Sequence, residues 1–250
     1  MKAALQTIAL EKRFGGLIAA DSVSFTLDHG ARHALIGPNG AGKTTFVNLL
    51  TGVLPASGGK ILFQGEDITH LNQIARARLG LGRTFQINQL FADMTPVETL
   101  ALAVSERIGR GANFWHRLGR QADMSDDIIS LLERFRLLDV MDQPTKRLPY
   151  GKQRLLEIAL ALASNPRVLL LDEPAAGVPE AEREELLETL ANLPRDVSIL
   201  LIEHDMDLVF SFADRITVLV GGALFADGTA EQIMSDSRVQ DIYLGSDDHG

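Results

Sequence analysis

Residues 37 to 45 read Gly37-Pro38-Asn39-Gly40-Ala41-Gly42-Lys43-Thr44-Thr45. They satisfy the spacing G-x-x-x-x-G-K-[ST], with Gly37, Gly42, Lys43 and Thr44 in the fixed positions. The chemistry of such a run is phosphate binding. Residues without a Cβ let the backbone wrap an anion, and successive N–H groups form a concave nest. A helix that starts here adds partial positive charge at its first turn. Lys43 supplies a full charge against the β- and γ-phosphates of a nucleotide, and the Thr44 hydroxyl is a ligand for Mg²⁺. A Gly-rich turn with a chance Lys is the competing reading, and the flanks oppose it. Ala34-Leu35-Ile36 reads as the end of a buried strand, and Thr45 to Thr51 reads as a helix that stops at Gly52.

A second group of residues answers the first. Val168-Leu169-Leu170-Leu171-Asp172-Glu173-Pro174 is an apolar strand ending in two acids. Carboxylates at the C-terminal edge of a parallel strand face the crevice where α/β proteins bind ligands. Asp172 is placed to hold the hydration shell of Mg²⁺, and Glu173 to polarise an attacking water. Gln86, after an apolar segment at 81–85, offers a neutral carbonyl to Mg²⁺ or to water. His204 follows the strand-like run 198–202 and can donate to a γ-phosphate, although a lone His in such a place is often only a polar loop residue. Phe14, before Gly15-Gly16, either stacks on adenine or packs as a core aromatic of an N-terminal hairpin.

These residues need a frame to hold them. The first third of the chain is strand-like at Ala4 to Leu10, Ser22 to Leu27, His33 to Ile36 and Lys60 to Phe63, with a short helix over His70 to Leu79 and a strand over Leu81 to Phe85. The middle turns helical. Thr95 with Glu98 three residues later is a capping box that opens a helix over Pro96 to Val104. Gly109 to Gly119 is Gly- and Arg-rich and reads as a loop. Asp123 to Leu138 is amphipathic, with Ile128, Leu131, Leu132 and Phe135 at helical spacing. The last third alternates strands at Val168 to Leu171, Ser198 to Ile202 and Ile216 to Val220 with helices at Glu180 to Leu193 and Met206 to Phe212. Such alternation predicts a mainly parallel sheet with helices on both faces. The expected organisation is one nucleotide-binding domain over residues 1–250, with an α/β core at 1–85 and 166–250 and a helical subdomain at 86–165.

Composition narrows the partners. The chain has 250 residues, 46% hydrophobic and 23% charged, which suits a globular protein with a large core. Its formal net charge of -9 opposes a general nucleic-acid binder, so no nucleic-acid partner is expected. It has no cysteine, hence no disulfide. No secretory signal is visible, and no apolar run approaches the ~20 residues of a membrane-spanning helix. Any work at a membrane requires other chains to span it.

In combination these motifs resemble the ATP-binding-cassette (ABC) ATPases along nearly the whole chain. The Walker A segment is 37–45, the Q-loop Gln86, the Walker B strand with its catalytic Glu 168–173, and the switch His is His204. The LSGGQ-type segment is Leu148-Pro149-Tyr150-Gly151-Lys152-Gln153. Within that family, Arg13-Phe14-Gly15-Gly16-Leu17, Arg83-Thr84-Phe85-Gln86, Asp172-Glu173-Pro174-Ala175-Ala176-Gly177, Ile202-Glu203-His204-Asp205-Met206 and Tyr243-Leu244-Gly245 look like the cytoplasmic ATPases of bacterial branched-chain amino acid importers. The resemblance implies a P-loop core, an N-terminal antiparallel β-subdomain and a helical subdomain. It implies ATP and Mg²⁺ as ligands. It also implies a second ATPase subunit, integral-membrane permeases, a periplasmic solute-binding protein, and a place on the inner face of the plasma membrane. In such a pair the segment around Gly151 faces ATP held by the opposite subunit.

The chain departs from the family pattern at Pro149, Pro179 and Lys152. Pro149 stands where a Ser hydroxyl is usual and has neither hydroxyl nor N–H to donate. Pro179 stands near the usual Asp of the D-loop. Lys152, where Gln is usual, either adds charge toward a phosphate or is a solvated Lys at a helix start. The runner-up function is a nucleotide-switched regulatory or clamping module, and a third keeps the ATPase but changes the cargo, as in lipid export.

Overall fold

Polar and apolar residues trade places along Leu5–Phe14 and Leu17–Leu27, and these become strands β1 and β2, paired antiparallel around the Gly15-Gly16 turn. The computed structural model describes residues 3–84, 90–108 and 122–244. After β2 the chain runs through β3 (Arg32–Ile36), α1 (Lys43–Thr51), β4 (Gly58–Phe63), β5 (Glu66–Asp67), α2 (Gln73–Arg78) and β6 (Leu81–Arg83). Helices α3 (Pro96–Arg107), α4 (Ala122–Arg134) and α5 (Tyr150–Ala163) follow, with two short 3₁₀ turns at Leu138–Val140 and Thr145–Arg147. Then come β7 (Val168–Asp172), α6 (Glu180–Ala191), β8 (Ser198–Ile202), α7 (Met206–Phe212), β9 (Arg215–Val220), β10 (Ala223–Gly228), α8 (Ala230–Ser235) and α9 (Ser237–Leu244).

The chain divides into two compact units. The first takes Met1–Leu81, Arg167–Glu173 and Pro194–Gly250, and the second takes Gly82–Pro166 and Pro174–Leu193. In the first unit a four-stranded antiparallel sheet runs β2-β1-β4-β5. A six-stranded sheet has the order β10-β9-β3-β8-β7-β6. Within it β3 lies parallel to both β8 and β9, β7 lies parallel to β8, and β10 turns back antiparallel on β9. Every residue of β3, β7 and β8 is buried, as parallel strands covered on both faces must be. Phe46, Val47, Leu49 and Leu50 of α1 share one core with Leu35, Ile61, Leu170 and Leu200, so the first helix is fastened to both sheets.

The far end of α1 is fastened differently. Arg76 of α2 is only 2% exposed. Its guanidinium donates to the carbonyls of Leu49 (2.6 Å), Leu50 (2.7 Å), Thr69 (2.9 Å) and Leu71 (2.9 Å). A helix leaves its last carbonyls without intrahelical donors, and a cation there also meets the negative end of the helix dipole. Burial lowers the Arg76 pKa from its usual value.

In the second unit Thr95 and Glu98 form the expected capping box at the start of α3. α3 packs on α4 and α5, and α5 on α6. The apolar stripe Ile128, Leu131, Leu132 and Phe135 is buried. The helix expected through Leu138 ends at Arg134 because Arg136 takes a left-handed φ of 52°. Leu137 N then donates to Leu132 O (2.8 Å) and Arg136 N to Glu133 O (3.0 Å), the two bonds of a Schellman stop. The second unit also claims Pro174–Leu193, a stretch that the sequence reading assigned to the α/β core. The reason lies in long-range bonds from α6. Among the described residues no helix is long and apolar enough to cross a membrane.

Candidate functional site

The loop between β3 and α1 has its shape imposed by what surrounds it. Gly37 has φ 153°, and a Cβ there would stand 2.2 Å from the Leu219 carbonyl oxygen of β9. Gly42, the N-cap of α1, has φ 97°, and a Cβ would stand 2.6 Å from the Ala19 carbonyl oxygen of β2. No other residue type fits either place without moving a strand. Ala41 N donates to Pro38 O (3.1 Å), Gly222 N to Ala41 O (2.9 Å) and Asp21 N to Gly222 O (2.8 Å). The β9–β10 turn at Gly221-Gly222 thus ties the loop to β2. Lys43 Nζ folds back on the loop and donates to the carbonyls of Gly37 (2.6 Å) and Pro38 (3.1 Å). Burial lowers its pKa, while the carboxylates of Glu173 and Asp172 act to raise it. That coupling places both acids of β7's end within electrostatic reach of the Lys43 ammonium.

The loop opens on a cavity of about 500 Å³ in the first unit. Asn39, Gly40, Ala41, Gly42, Lys43, Thr44 and Thr45 line one part, with Glu173. Phe14, Leu17, Ile18 and Ala19 line another, with Gly221 and Gly222. The polar side chains thus come from the loop, α1 and the end of β7, while the hairpin contributes apolar ones. Phe14 is 47% exposed, so the core-aromatic alternative does not describe it.

Glu173 sits just past β7 with φ 47°, the left-handed region that residues with a Cβ rarely adopt. Its N–H donates to Ile202 O (2.9 Å) at the end of β8, which holds the backbone in this conformation. Strain of this kind persists only where neighbours over-determine it, and it gathers at functional positions. His204 is brought to it from the loop after β8. His204 Nδ1 lies 3.9 Å from Glu173 Oε1 and 3.6 Å from Glu203 Oε2. The buried Glu203 carboxylate fixes that loop by accepting from the backbone N–H groups of His204 (3.0 Å) and Asp205 (3.4 Å), and Asp205 caps α7 through Leu208 N (3.1 Å). The His204 side chain is 65% exposed and free to reach a ligand beside Glu173.

Thr44 and Asp172 offer one hydroxyl and one buried carboxylate. Hard oxygen donors in that small number fit Mg²⁺ brought in on phosphates, a mode in which the protein supplies one or two ligands and the substrate and water supply the rest. Among the described residues there is no cluster of three His, Cys, Asp or Glu that would hold a metal by itself. The third metal candidate, Gln86, lies outside the described residues.

The start of α5 belongs to the second unit and is built on other lines. Pro149 is its N-cap, with no side-chain cap hydrogen bond. Gly151 N donates to Glu182 Oε2 on α6 (2.6 Å), and a Cβ on Gly151 would meet that oxygen at 2.8 Å. Lys152 donates to Glu185 Oε1 (3.0 Å) and to Arg136 O, and its Nζ is 3.5 Å from Asp139 Oδ1. At 14% exposure Lys152 is not the solvated helix-start Lys of the sequence reading: carboxylates on α6 and at Asp139 draw it in. Arg136 in turn pairs with Glu188 (2.8 Å). Glu182, Glu185 and Glu188 recur every three residues on one side of α6, so one helix face presents a ladder of carboxylates. Pro179 is the N-cap of α6. Neither Glu182 nor Arg76 was visible as a site residue in the sequence. The Gly221-Gly222 turn did carry a signal, since a Gly pair between two apolar runs reads as a hairpin turn.

Comparison with known proteins places this arrangement. The family described as ABC transporter matches residues 20–176. The high-affinity branched-chain amino acid transport ATP-binding protein BraF of Pseudomonas aeruginosa is 40% identical, over 96% of this chain and 97% of its own. The protein LivG of Escherichia coli strain K12, of the same description, is 41% identical, over 96% and 97%. Among solved structures, an ATP-binding cassette of an ABC transporter in its ADP conformation superposes with a TM-score of 0.83 at 30% identity, covering 98% of this chain and all (100%) of the other. A nucleotide-free cassette gives 0.81 at 29% identity, over 96% and 98%.

Proposed function

The chain belongs to the ABC transporter family, and from that premise we propose that it is the ATP-hydrolysing subunit of an importer for branched-chain amino acids or a related small organic solute. The observation that carries the reading is one cavity that gathers Phe14, Lys43, Thr44 and Glu173. The triphosphate of ATP takes the place at the loop where Lys43 now holds the Gly37 and Pro38 carbonyls, and the Lys43 ammonium turns to the β- and γ-phosphates. Backbone N–H groups from Pro38 through Thr45 other than Pro38 itself, at the positive end of α1, cradle the phosphate oxygens. Phe14 stacks on the adenine. Mg²⁺, when bound, neutralises charge on the β- and γ-phosphate oxygens, held by Thr44, Asp172 and Gln86.

Glu173 accepts a proton from a water as the water oxygen bonds to the γ-phosphorus and the bond to the β–γ bridging oxygen breaks, releasing ADP and phosphate. His204, beside Glu173, donates to the γ-phosphate. A second ATPase subunit, identical or homologous, completes the site by presenting its segment equivalent to Leu148–Gln153. The first unit is the nucleotide-binding core and the second the helical subdomain that this segment belongs to. Permease subunits in the membrane hold the pair on its inner face, and a periplasmic protein delivers the solute. The names of the relatives favour transport over a regulatory clamp.

The test is to purify the intact membrane complex, identify its subunits by mass spectrometry, and reconstitute it with its solute-binding protein. Uptake of leucine, isoleucine or valine that depends on MgATP, and stops with Glu173→Gln, is the expected result. A complex with soluble partners only, or ATP turnover unlinked to any uptake, rejects the transport reading.

A further inference from the structure

Lys12 lies two residues before Phe14 on β1, opposite Ala20 of β2. Its ammonium sits 5.0 Å from the centroid of the Phe14 ring. The same Nζ donates to Pro55 O at 2.7 Å, on the loop that follows α1. Phe14 lines the cavity and Lys12 does not. The ring therefore has a cation at one face and a nucleotide-sized space at its side. The Phe14 position itself is precarious: it is the last residue of β1, next to the Gly15-Gly16 turn, where no side chain comes within 4 Å of an added Cβ.

We propose that Lys12 is a positioning residue for nucleotide binding, holding the Phe14 ring from behind so that its open face is set for the base before the ligand arrives. This rests on the reading of Phe14 as the base platform. Three physical facts support it. A cation within about 6 Å of a ring centroid is attracted by the negative face of the ring. Nζ is itself fixed by the Pro55 carbonyl, so the ring is referenced to the segment that follows the phosphate-loop helix and not only to its own hairpin. Ordering an aromatic side chain in advance removes a cost that would otherwise fall on binding, roughly 0.5–1.5 kcal/mol or a factor of about 2 to 12 in affinity.

The experiment is a double-substitution cycle on the full chain, read by calorimetry with a non-hydrolysable MgATP analogue and with magnesium tripolyphosphate, which lacks base and sugar. Lys12→Met is expected to raise the dissociation constant of the analogue about 3- to 5-fold and to leave that of tripolyphosphate unchanged. Lys12→Arg, which keeps the cation, is expected within about 2-fold of the parent. Added to Phe14→Ala, Lys12→Met is expected to have no further effect. If it weakens binding equally with and without Phe14, or weakens tripolyphosphate as well, Lys12 acts as a general charge or a fold element and the proposal is overturned. If Lys12→Met changes nothing while Phe14→Ala weakens binding, the platform stands and the role of Lys12 falls. If Phe14→Ala itself changes nothing, the platform reading fails and takes this proposal with it. Lys12→Gln, with melting curves for every variant, replaces the Met variant if that one does not fold.

Discussion

Two helices of this chain have a glycine beside a lysine at their start, and they differ in what their positive ends meet. At α1 the N-cap is Gly42, which has no side chain to offer, and Lys43 donates to two carbonyls of its own loop. At α5 the Gly151 N–H is bonded to Glu182, and Lys152 is bonded to Glu185. One start meets an open cavity, while the other is answered by anions from within its own unit. Sequence motifs describe the two in similar words, a Gly next to a Lys at the head of a helix. At the second start the partner is the acidic face of α6, which packs on α5.

The comparison can be broken in several ways. The largest effect is expected at the open start. Glu173→Gln should lower ATP turnover at least about 100-fold while MgATP binding persists, measured by phosphate release and by calorimetry. Full turnover in that variant would remove Glu173 from its role. On stability, as distinct from turnover, the largest effect is expected in the support behind the open start. Arg76→Met leaves four carbonyls without their charged donor and should cost about 3–5 kcal/mol in urea unfolding. A loss below about 1 kcal/mol would show that the α1 terminus holds itself.

Acid distinguishes the two starts as well. His33, on the strand that leads into the loop, is 1% exposed, and burial pushes its pKa down to about 4. Its Nε2 lies 2.8 Å from the Thr217 hydroxyl, which donates to Asp227 and so leaves its oxygen to accept from a neutral imidazole. The unfolded chain takes up this proton near pH 6.5 and the folded one only near 4. Stability is therefore undiminished above pH 6.5 and falls as the pH drops from there toward 4. The loss between pH 7 and pH 5 should be about 2 kcal/mol, and His33→Asn should flatten that part of the profile. An unchanged profile would exclude His33 as its source. The smallest effect is expected at the closed start. Glu182→Ala strands the Gly151 N–H and should cost about 1–2 kcal/mol without altering MgATP affinity of the single subunit. A change in that affinity would mean that the two starts are not independent in the way their bonding implies.

What could be read from residue order follows the same division. The run Gly37 to Thr45 and the pair Asp172-Glu173 are local patterns, and local patterns carry their geometry with them. His204 lies far from Glu173 in the chain, yet the parallel pairing of β7 with β8 sets the two ends side by side. Glu182 and Gly151 meet across 31 positions through the packing of α6 on α5, and no spacing rule announces such a bond. The solvated reading of Lys152 failed for that reason. Arg76 lies in a short helix whose sequence gives no sign that its side chain reaches four backbone carbonyls. The β10 strand of the β9–β10 hairpin lies beyond the last expected strand, Ile216 to Val220, and its Gly221-Gly222 turn helps fix the loop. Gln86 lies outside the described residues.

The Arg76 bonds have a mechanical consequence. Four short hydrogen bonds from one guanidinium span α1's last turn and the segment from Thr69 to Leu71, so sliding α1 along its axis must either tear them or carry α2 along. Tearing them costs several times the thermal energy. The last turn of α1 and the helix α2 are therefore bonded together, and α2 shows Ile74, 65% exposed, to the surroundings. A displacement of α1 along its axis is expected to carry the exposed Ile74 with it.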